Sequence, residues 1–545
     1  MQELQLTGNE AIAWGAKCAG VELATGYPGL PCTSIIDTLK NITAPEDVWV
    51  EWSVNEKIAL ETAYGVSISG GRALTVQKMA GLNVCLDSLM VVNLLGIAGG
   101  LVLAVGDVPG SIFSGNEQDS RILGAFAEIP VLEPSTPQEG FDFTLAAFAL
   151  SEKYGLPVIL RFSKEFAREK AVVKFTRDQA PRAPLISEIR RSYAPAAKRI
   201  DAHCRLHEKN RQMPAYFSTL DFNRAEGKGE KALISCGYTF TKLQKALAAG
   251  PWPTDYKLIK LGTLNPLPAD FLAGHLQGVN ECLVVEEVEP YLEERLRGLV
   301  SRKNLPAMIY GKTTGSVKWE GELSPRHIDL SLQWFLGADR KTPPDFVGVE
   351  AAAAGNELPG FCDNCSYDYY FSELKKYLQE NQIPRPLFTG EPGCSIYLEA
   401  PPYEMLDVKV SLGSSIGVAC GLAKRQQDRA VVAIVGDSAF FHSEIPSLIY
   451  ASHSQADILA MIVYNYTAGV TGRQPHPASG YDLRGNPKDV ISIVKIAQAC
   501  QVPYVKLIKG KDEKELKAAF AEVFGRKGTR VLVLDYPCAL LKANR

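Results

Sequence analysis

The sequence lacks the features of several classes of protein. Its net charge of −3 over 545 residues, without a basic stripe, gives no reason to expect nucleic acid or an anionic membrane as a partner. The first ten residues lack the basic and apolar regions of a signal peptide, so a cytoplasmic location is expected. The only membrane-like run, at 89–106, is interrupted by Asn93 and by glycines, which favours a buried helix followed by a buried strand.

A disulfide framework is not expected either. The chain has twelve cysteines but no export signal, and such a chain normally keeps its thiols reduced. Eight cysteines are scattered, most of them among apolar or small neighbours, and are interpreted as buried space-fillers. These eight are Cys18, Cys32, Cys85, Cys204, Cys236, Cys282, Cys420 and Cys500.

The length and the hydrophobic periodicity predict a multidomain α/β protein with parallel, doubly wound sheets. Helical and strand-like segments alternate in three parts of the chain, and irregular, proline-containing segments separate these parts. The predicted divisions are an α/β domain at 1–180, a connector without assigned chemistry at 181–228, a smaller α/β domain at 229–302, a linker at 303–357 and a large α/β domain at 358–545.

A candidate ligand site lies in the last domain, after two apolar runs at 430–435 and 458–463. Gly436 and Asp437 follow the first run and Asn465 follows the second, so two parallel strands would bring them to one sheet edge. Carboxylate and amide oxygens suit Mg²⁺ holding two phosphates, and Gly436 lets backbone N–H groups approach them. The separation matches the thiamine-diphosphate signature, usually Gly-Asp-Gly, a spacer and Asn-Asn. An ordinary strand–turn–helix unit accounts for the same residues.

Thiamine diphosphate would also require a carboxylate from the first domain, hydrogen-bonded to the aminopyrimidine ring. Glu56 is the candidate, because it stands near the beginning of a predicted helix at 53–69 and its ionisation could be tuned by burial. The spacing from Ser53 to Glu56 also fits a capping box, in which the glutamate has no catalytic part.

Five motifs carry a family resemblance. They read Glu-Trp-Ser-Val-Asn-Glu-Lys at 51–57, Gly-Leu-Asn-Val at 81–84, Gly-Asn-Glu-Gln-Asp-Ser-Arg at 115–121, Gly-Asp-Ser-Ala-Phe-Phe-His-Ser at 436–443 and Gln-Pro-His-Pro at 474–477. Together they resemble the large (alpha) subunit of indolepyruvate:ferredoxin oxidoreductase, in the thiamine-diphosphate-dependent 2-oxoacid:ferredoxin oxidoreductase family. The resemblance implies a pyrimidine-binding domain at 1–180, a transketolase C-terminal-like domain at 229–302 and a diphosphate-binding domain at 358–545.

The resemblance also implies an activity and its partners. The family oxidatively decarboxylates an arylpyruvate-like 2-oxoacid on thiamine diphosphate, passes electrons to iron–sulfur clusters and transfers the acyl group to coenzyme A. A homodimer core and a smaller second subunit are expected by the same resemblance.

Roles for single residues in the cofactor site follow from the resemblance. Glu56 would activate the pyrimidine ring, while Asp437, Asn465 and the backbone carbonyl of Thr467 would bind Mg²⁺. The residues that would line the diphosphate are Gly413, Ser414, Ser415, Gly436 and Ser438.

Three further residues are candidates for catalytic contacts. Arg121 could supply a cation to the substrate, its alternative being a surface ion pair. His442 and His476, beside the diphosphate motif, could transfer protons or contact phosphate, although a lone histidine is more often structural.

Four cysteines remain, and two of them form the C-x-x-C pair Cys362 and Cys365, with Cys394 and Cys538 farther along the chain. A C-x-x-C spacing lets two thiolates reach one iron centre, and the other two could complete the site. From the residues alone, a four-cysteine zinc site and unligated thiols are alternatives. By the resemblance, the four cysteines hold the [4Fe–4S] cluster nearest the cofactor.

The sequence departs from the family pattern near the expected substrate. Leu30 replaces a threonine in a Tyr-Pro-Gly-Thr-Pro turn, Met79-Ala80 replaces a His-Val pair, and Glu444 stands where glycine is usual. Leucine cannot hydrogen-bond a substrate carboxylate and a glutamate would repel one, which predicts a changed substrate preference.

The family's ferredoxin-like tail, rich in C-x-x-C-x-x-C motifs, has no counterpart in these residues. Electrons are therefore expected to leave through another subunit or a soluble acceptor such as ferredoxin. The departures leave two alternatives open, a non-oxidative thiamine-diphosphate lyase or carboligase and a catalytically inactive scaffold or regulatory subunit.

Overall fold

A computed structural model describes residues 2–111, 114–176, 180, 184–189, 196–337, 342–348 and 360–541. The chain divides into two compact units. The N-terminal unit comprises residues 1–51 and 56–354, and the C-terminal unit comprises residues 52–55 and 355–545.

Strands and helices alternate in the first part of the N-terminal unit. The strands are β1 (Gln2–Thr7), β2 (Leu23–Gly26), β3 (Trp49–Trp52), β4 (Ala73–Lys78), β5 (Leu101–Asp107), β6 (Val131–Leu132), β7 (Val158–Ser163) and β8 (Lys170–Phe175). The helices are α1 (Gly8–Cys18), α2 (Thr33–Ile42), α3 (Glu56–Ile68), α4 (Met79–Leu95), α5 (Ser120–Phe126), α6 (Pro137–Tyr154) and α7 (Lys164–Arg168).

The second part of this unit begins with the long helix α8 (Ala196–Phe217). Its strands are β9 (Arg224–Gly227), β10 (Lys231–Cys236), β11 (Tyr256–Leu261), β12 (Thr263–Asn265), β13 (Glu281–Val285) and β14 (Met308–Tyr310). Its other helices are α9 (Gly237–Ala249), α10 (Ala269–Leu276), α11 (Tyr291–Arg302), the 3₁₀ turn Lys312–Thr314 and α12 (Pro325–Leu336).

Two mainly parallel sheets organise the N-terminal unit. The seven-stranded sheet has the order β12-β6-β7-β5-β4-β2-β3, with β12 antiparallel to β6, and the five-stranded sheet has the order β14-β13-β10-β11-β9, with β9 antiparallel. Strands β5 and β7 are buried along their whole length, as expected for parallel strands covered by helices on both faces. Leu103 and Ile234, from the two sheets, belong to one hydrophobic core, which joins the sheets into one unit.

The C-terminal unit is a six-stranded, entirely parallel sheet with the strand order β16-β15-β17-β18-β20-β19. Its strands are β15 (Leu387–Gly390), β16 (Val408–Lys409), β17 (Val431–Gly436), β18 (Leu459–Tyr464), β19 (Tyr504–Lys509) and β20 (Arg530–Asp535). Its helices are α13 (Ser366–Glu380), α14 (Ser415–Arg425), α15 (Asp437–Ala439), α16 (Ile445–His453), α17 (Ile493–Ala499) and α18 (Glu513–Phe524). Shorter turns are the 3₁₀ segments Cys394–Leu398 and Ala539–Leu541 and the π-helical segment Phe440–Glu444.

These sheets confirm the predicted α/β fold class. The apolar runs at 430–435 and 458–463 form β17 and β18, which are parallel neighbours with Gly436 opposite Val463. The run at 89–106 is the end of α4 followed by most of β5, as predicted. Within the described residues, no helix is long and apolar enough to cross a membrane.

The domain divisions stay predictions. The structure shows regular helices and strands in the two segments that were predicted as connector and linker. The 22-residue helix α8 lies in the predicted connector, and β14 and α12 lie in the predicted linker. Strand β12, from the predicted small domain, pairs with β6 of the first sheet. The predicted boundaries at 180/181, 357/358 and 545 fall at or within stretches outside the described residues.

Candidate functional site

The Asp437 carboxylate lies at the point where β17 and β18 end, and it is buried. Its Oδ2 accepts hydrogen bonds from the backbone N–H groups of Asn465, at 2.9 Å, and Tyr466, at 2.7 Å. Its Oδ1 accepts a hydrogen bond from the N–H of Ser438 at 2.9 Å. The parallel pairing of the two strands therefore brings the predicted Asp437 and Asn465 together, as the spacing indicated.

The loop after β18 presents further oxygen atoms beside this carboxylate. Asn465 Oδ1 accepts the N–H of Thr467 at 3.3 Å, and both residues are buried. Tyr466 between them has a φ of 69°, a left-handed conformation in which the chain turns sharply after the strand. Asp437, Asn465 and Thr467 thus form one compact, oxygen-rich corner, which we call the Asp437 corner.

His476 contacts the Asp437 corner. The Nε2 atom of His476 is 3.0 Å from Asp437 Oδ2, although the alignment is not that of a hydrogen bond. Because His476 Nδ1 accepts the N–H of Ala478 at 3.2 Å, the ring proton is assigned to Nε2, which faces the carboxylate. His442 is buried, with Nδ1 2.6 Å from the hydroxyl of Ser443.

Glu391 is a buried acid at this edge that the sequence interpretation missed. It follows β15, the other neighbour of β17, and the stretch containing it was noted only for Cys394. Its Oε1 accepts the N–H of Gly436 at 2.7 Å, and its Oε2 accepts the N–H of Gly413 at 2.8 Å. Both glycines were predicted to line a diphosphate, so these two N–H groups have a protein carboxyl as their partner instead. The signal in the sequence was an acid directly after a β-strand.

Two of the three serines predicted beside the diphosphate donate their hydroxyl protons to backbone carbonyls. Ser414 Oγ donates to the carbonyl of Ser411 at 2.7 Å, and Ser415 Oγ donates to that of Ile434 at 2.8 Å. These bonds fix the beginning of α14 against the end of β17, which leaves the serine oxygens available only as acceptors.

Glu444, which was expected to repel a substrate carboxylate, faces the beginning of α14 instead. Its side chain is fully buried, and Oε1 and Oε2 lie 3.2 and 3.3 Å from the N–H of Ile416, in the first turn of α14. A carboxylate at a helix N-terminus interacts favourably with the free N–H groups there. Burial raises the pKa of Glu444 to about 7, even though these N–H groups favour the charged form. The carboxyl group of Glu444 therefore accepts a hydrogen bond from the first turn of α14 and is not directed at a substrate.

Burial and the charge of Glu444 both raise the pKa of Glu391 well above its ordinary value, although the N–H groups of Gly436 and Gly413 oppose them. Asp437 adds a further negative charge to the same neighbourhood. Three buried acids at one sheet edge create an environment that favours a cation, or a proton on one of the acids.

The four cysteines Cys362, Cys365, Cys394 and Cys538 lie near one another in the C-terminal unit. Burial, together with the charges of the other three sulfurs, raises the pKa of Cys394 to about 12. No three of the four sulfurs lie within 4.8 Å of one another, although all four residues are described.

A hydrogen bond connects the cysteines to the Asp437 corner. The N–H of Cys538 donates to the carbonyl of Asn465 at 3.1 Å. The charge of Asp437 also contributes to the raised pKa values of Cys394 and Cys538, in both of which burial is the largest cause. Of the eight cysteines predicted as space-fillers, six are buried, Cys500 is half-buried and Cys204 is exposed.

In the N-terminal unit, Glu56 is the first residue of α3 and its side chain is buried. A Cβ atom added at Gly81, in the first turn of α4, would lie 2.5 Å from Glu56 Oε1. Only glycine permits this approach, which explains the Gly-Leu-Asn-Val motif. Burial lowers the pKa of nearby Lys78, and the charges of Cys32 and Glu56 oppose that effect. The catalytic role of Glu56 stays a prediction.

Two departures from the family pattern lie in this unit. Met79 is fully buried at the beginning of α4, so the replacement of the family's His-Val pair alters the core. Leu30 is half-buried in the turn after β2. This turn packs on the end of β5, since a Cβ atom added at Gly106 would lie 2.5 Å from Cys32 Sγ.

Arg121 does not occupy the position predicted for it. It is fully buried, and its guanidinium binds Asp119 through Nε at 2.9 Å and Glu286 through Nη1 at 2.8 Å. Nη2 donates to the carbonyls of Glu287 and Glu289 as well. Both sequence interpretations need correction, because the group is neither a surface ion pair nor free for a substrate carboxylate. It joins the segment before α5 to the segment after β13 inside the N-terminal unit.

Comparison with known proteins agrees with this arrangement. The family model "Pyruvate flavodoxin/ferredoxin oxidoreductase, thiamine diP-bdg" matches residues 14–228, and "Thiamine pyrophosphate enzyme, C-terminal TPP binding domain" matches residues 394–534. The second match includes Cys394 and the whole Asp437 corner.

Similar curated proteins cover almost the whole chain. "Indolepyruvate oxidoreductase subunit IorA" of Archaeoglobus fulgidus is 32% identical over 99% of this chain and 87% of its own length. The subunits of the same name from Methanothermobacter marburgensis and Pyrococcus abyssi are also 32% identical, over 98% and 100% of this chain and 87% of their own lengths.

A solved structure, "2-oxoglutarate:ferredoxin oxidoreductase from Magnetococcus marinus with 2-oxoglutarate, coenzyme A and succinyl-CoA bound", covers 60% of this chain and 64% of its own. It has 16% sequence identity and a TM-score of 0.49. On the near-complete matches to the curated subunits, the chain belongs to the family of indolepyruvate oxidoreductase IorA subunits, which are thiamine-diphosphate-dependent 2-oxoacid oxidoreductases.

Proposed function

We propose that this chain is the subunit in which a 2-oxoacid is oxidatively decarboxylated on thiamine diphosphate and Mg²⁺, with an arylpyruvate such as indolepyruvate as the substrate class. The observation that carries the proposal is the meeting of Asp437 and Asn465 at the adjacent ends of β17 and β18. The name shared by the curated relatives supports the substrate class.

The donor atoms of the Asp437 corner fit a magnesium ion. Asp437 Oδ1 and Asn465 Oδ1 each accept one N–H hydrogen bond, from Ser438 and Thr467, so each oxygen retains a lone pair. Hard oxygen ligands of this kind are those that Mg²⁺ prefers, together with phosphate oxygens. In the proposed site, Asp437, Asn465 and the carbonyl of Thr467 bind the metal.

The remaining residues of this edge hold the corner in shape. Glu391 bridges the N–H groups of Gly413 and Gly436, which fixes the beginning of α14 beside the end of β17. Ser438 is the proposed side-chain contact to the diphosphate, and His476 orients the Asp437 carboxylate. When bound, thiamine diphosphate supplies the carbanion stabilisation that decarboxylation requires.

Glu56 is the proposed acid that exchanges a proton with the pyrimidine ring. Its burial at the beginning of α3 excludes water from the carboxyl group, and Gly81 allows it to lie against α4. A Glu56 carboxyl group that hydrogen-bonds a ring nitrogen would hold or release the proton at one carboxyl oxygen.

Cys362, Cys365, Cys394 and Cys538 are the proposed ligands of a [4Fe–4S] cluster. The charges of the other three sulfurs contribute to the raised pKa of Cys394, which supports the proximity of the four side chains. The N–H···O bond from Cys538 to Asn465 supports a direct structural connection between this cluster and the cofactor. In the proposed reaction, the acyl group goes to coenzyme A, a smaller second subunit completes the enzyme, and ferredoxin or another subunit accepts the electrons.

The test is anaerobic purification followed by measurement of iron, sulfide and thiamine diphosphate per chain and by a visible absorption spectrum. We expect four iron and four sulfide per chain. Replacing Cys362 with serine should remove most of the iron, whereas replacing Cys500 with serine, a half-buried cysteine outside the group, should not. A colourless wild-type protein that still decarboxylates an arylpyruvate would indicate the non-oxidative lyase instead.

A matched variant tests the catalytic assignment. Glu56→Gln keeps the size of the side chain but cannot exchange the proton, so reduction of an artificial electron acceptor by indolepyruvate should fall by roughly 10²–10⁴-fold. Thiamine-diphosphate-dependent turnover that is unchanged in Glu56→Gln would contradict the proposal.

A further inference from the structure

Helix α8 carries two histidines one turn apart, in a segment to which the sequence interpretation assigned no chemistry. His203 and His207 are separated by four residues, so their side chains project from the same face of the helix. Their rings are 4.2 Å apart between centroids, and about half of each side chain is exposed. Both rings face a single carboxylate, that of Glu128.

Glu128 is held in place by its own backbone. It follows α5 with a φ of 56°, and its carbonyl accepts the side-chain N–H of Asn210, farther along α8, at 2.9 Å. Its two carboxylate oxygens then reach the two histidines separately. Oε1 is 2.9 Å from Nε2 of His203, and Oε2 is 3.1 Å from Nε2 of His207. Glu128 is thus fixed on α8 independently of either imidazole.

The distances are close to those between ligand atoms around one metal ion. Zinc–nitrogen and zinc–oxygen bonds of about 2.0–2.1 Å in a tetrahedron place neighbouring ligand atoms about 3.3 Å apart. The ligand atoms of Glu128, His203 and His207 lie within 4.8 Å of one another, so rotations of exposed side chains suffice to enclose an ion. This is the only group of three or more His, Cys, Asp or Glu ligand atoms so arranged in the part of the chain that the structure describes.

We propose that Glu128, His203 and His207 form a binding site for a divalent transition-metal ion of the borderline class, with Zn²⁺ as its representative. Two imidazoles and one carboxylate are a recurrent ligand set for zinc and for iron(II), and the exposure of both imidazoles, beside a half-buried Glu128, leaves a position for water. The ion would join α8 to the end of α5 within the N-terminal unit, where Asn210 and Glu128 already meet. This proposal is independent of the thiamine-diphosphate function.

The alternative is that two imidazole N–H groups simply donate hydrogen bonds to Glu128. Zinc binding separates the two interpretations. The intact protein is equilibrated with Zn²⁺ alone and dialysed, and the zinc per chain is counted for the wild type, His203→Ala, His207→Ala and Glu128→Gln. His453→Ala, which removes an exposed histidine from α16 of the other unit, is the matched control. Zinc bound at cysteines is common to all five proteins and cancels in the comparison.

We expect the wild type and His453→Ala to hold one zinc ion more per chain than each of the three site variants. Titration calorimetry should show that each site variant weakens this class of binding by more than roughly tenfold, since even outer ligands of metal sites typically contribute that much. Saturating Zn²⁺ should also raise the melting temperature of the wild type more than that of His203→Ala. A site variant that keeps the wild-type zinc count and affinity would overturn the proposal.

Discussion

Replacing Glu444 with glutamine tests the interpretation of this residue as a buried acid at the beginning of α14. Burial raises its pKa from the ordinary 4.5 to about 7. At about 1.4 kcal/mol per pKa unit, that difference corresponds to about 3 kcal/mol. Because the folded pKa is the higher one, the unfolded chain releases a proton between about pH 4.5 and 7 that the folded chain retains. The contribution of Glu444 to the free energy of unfolding should therefore fall across this window and level off above it.

Glutamine keeps an oxygen that can accept the N–H of Ile416 but does not titrate. The stability of Glu444→Gln relative to the wild type should therefore increase by about 3 kcal/mol from pH 4.5 to pH 8. For a unit of this size, that is about 6–12 °C in melting temperature, which differential scanning calorimetry of the C-terminal transition can resolve.

Two controls belong to this experiment. Glu399→Gln changes an exposed glutamate in the same unit and should show no such pH dependence. Glu391→Gln should also gain stability relative to the wild type as the pH rises, because burial and the charge of Glu444 raise the pKa of Glu391 and the two carboxyls titrate as a pair. A melting-temperature difference between Glu444→Gln and the wild type that stays constant from pH 5 to pH 8 would refute the reasoning.

Two further predictions concern the N-terminal unit. Gly81→Ala places a methyl group 2.5 Å from Glu56 Oε1, so it should displace that carboxyl and abolish turnover at a cost of about 1–3 kcal/mol, checked by activity and thermal unfolding together. Retained activity would show that Glu56 need not lie against α4. Arg121→Met leaves Asp119 and Glu286 buried without their cation and should cost about 3–5 kcal/mol, seen as early unfolding of the N-terminal unit. A stable protein that merely loses affinity for the 2-oxoacid would restore Arg121 as a substrate contact.

The position of Glu444 also bears on the catalytically inactive alternative. That alternative rested on Glu444 and on the altered turn at Leu30, and the carboxyl of Glu444 is turned to the N–H of Ile416. Of the other two departures, Met79 is buried in the core, and only Leu30 remains half-exposed in a turn. Changes in substrate preference are therefore best sought at Leu30.

The sequence by itself determined the α/β class and the location of the Asp437 corner. Strand periodicity is local, and parallel pairing of β17 with its chain neighbour β18 necessarily brings Asp437 and Asn465 to the same edge. The long apolar run at 89–106 was likewise predicted to be a helix and a strand from its internal Asn93 and glycines. These features could be predicted because they depend on residues that are close in sequence.

Only the tertiary structure decided what the charged side chains do. Arg121 contacts Glu286, which is 165 residues away, and Glu391 reaches Gly436 from a neighbouring strand, so no local pattern could indicate either contact. The same holds for Glu128 and the histidines of α8, which come together because α5 ends beside that helix. The sequence names a charged residue but does not show whether its side chain is exposed, paired or buried. Its pKa and its partners depend on the packing around it.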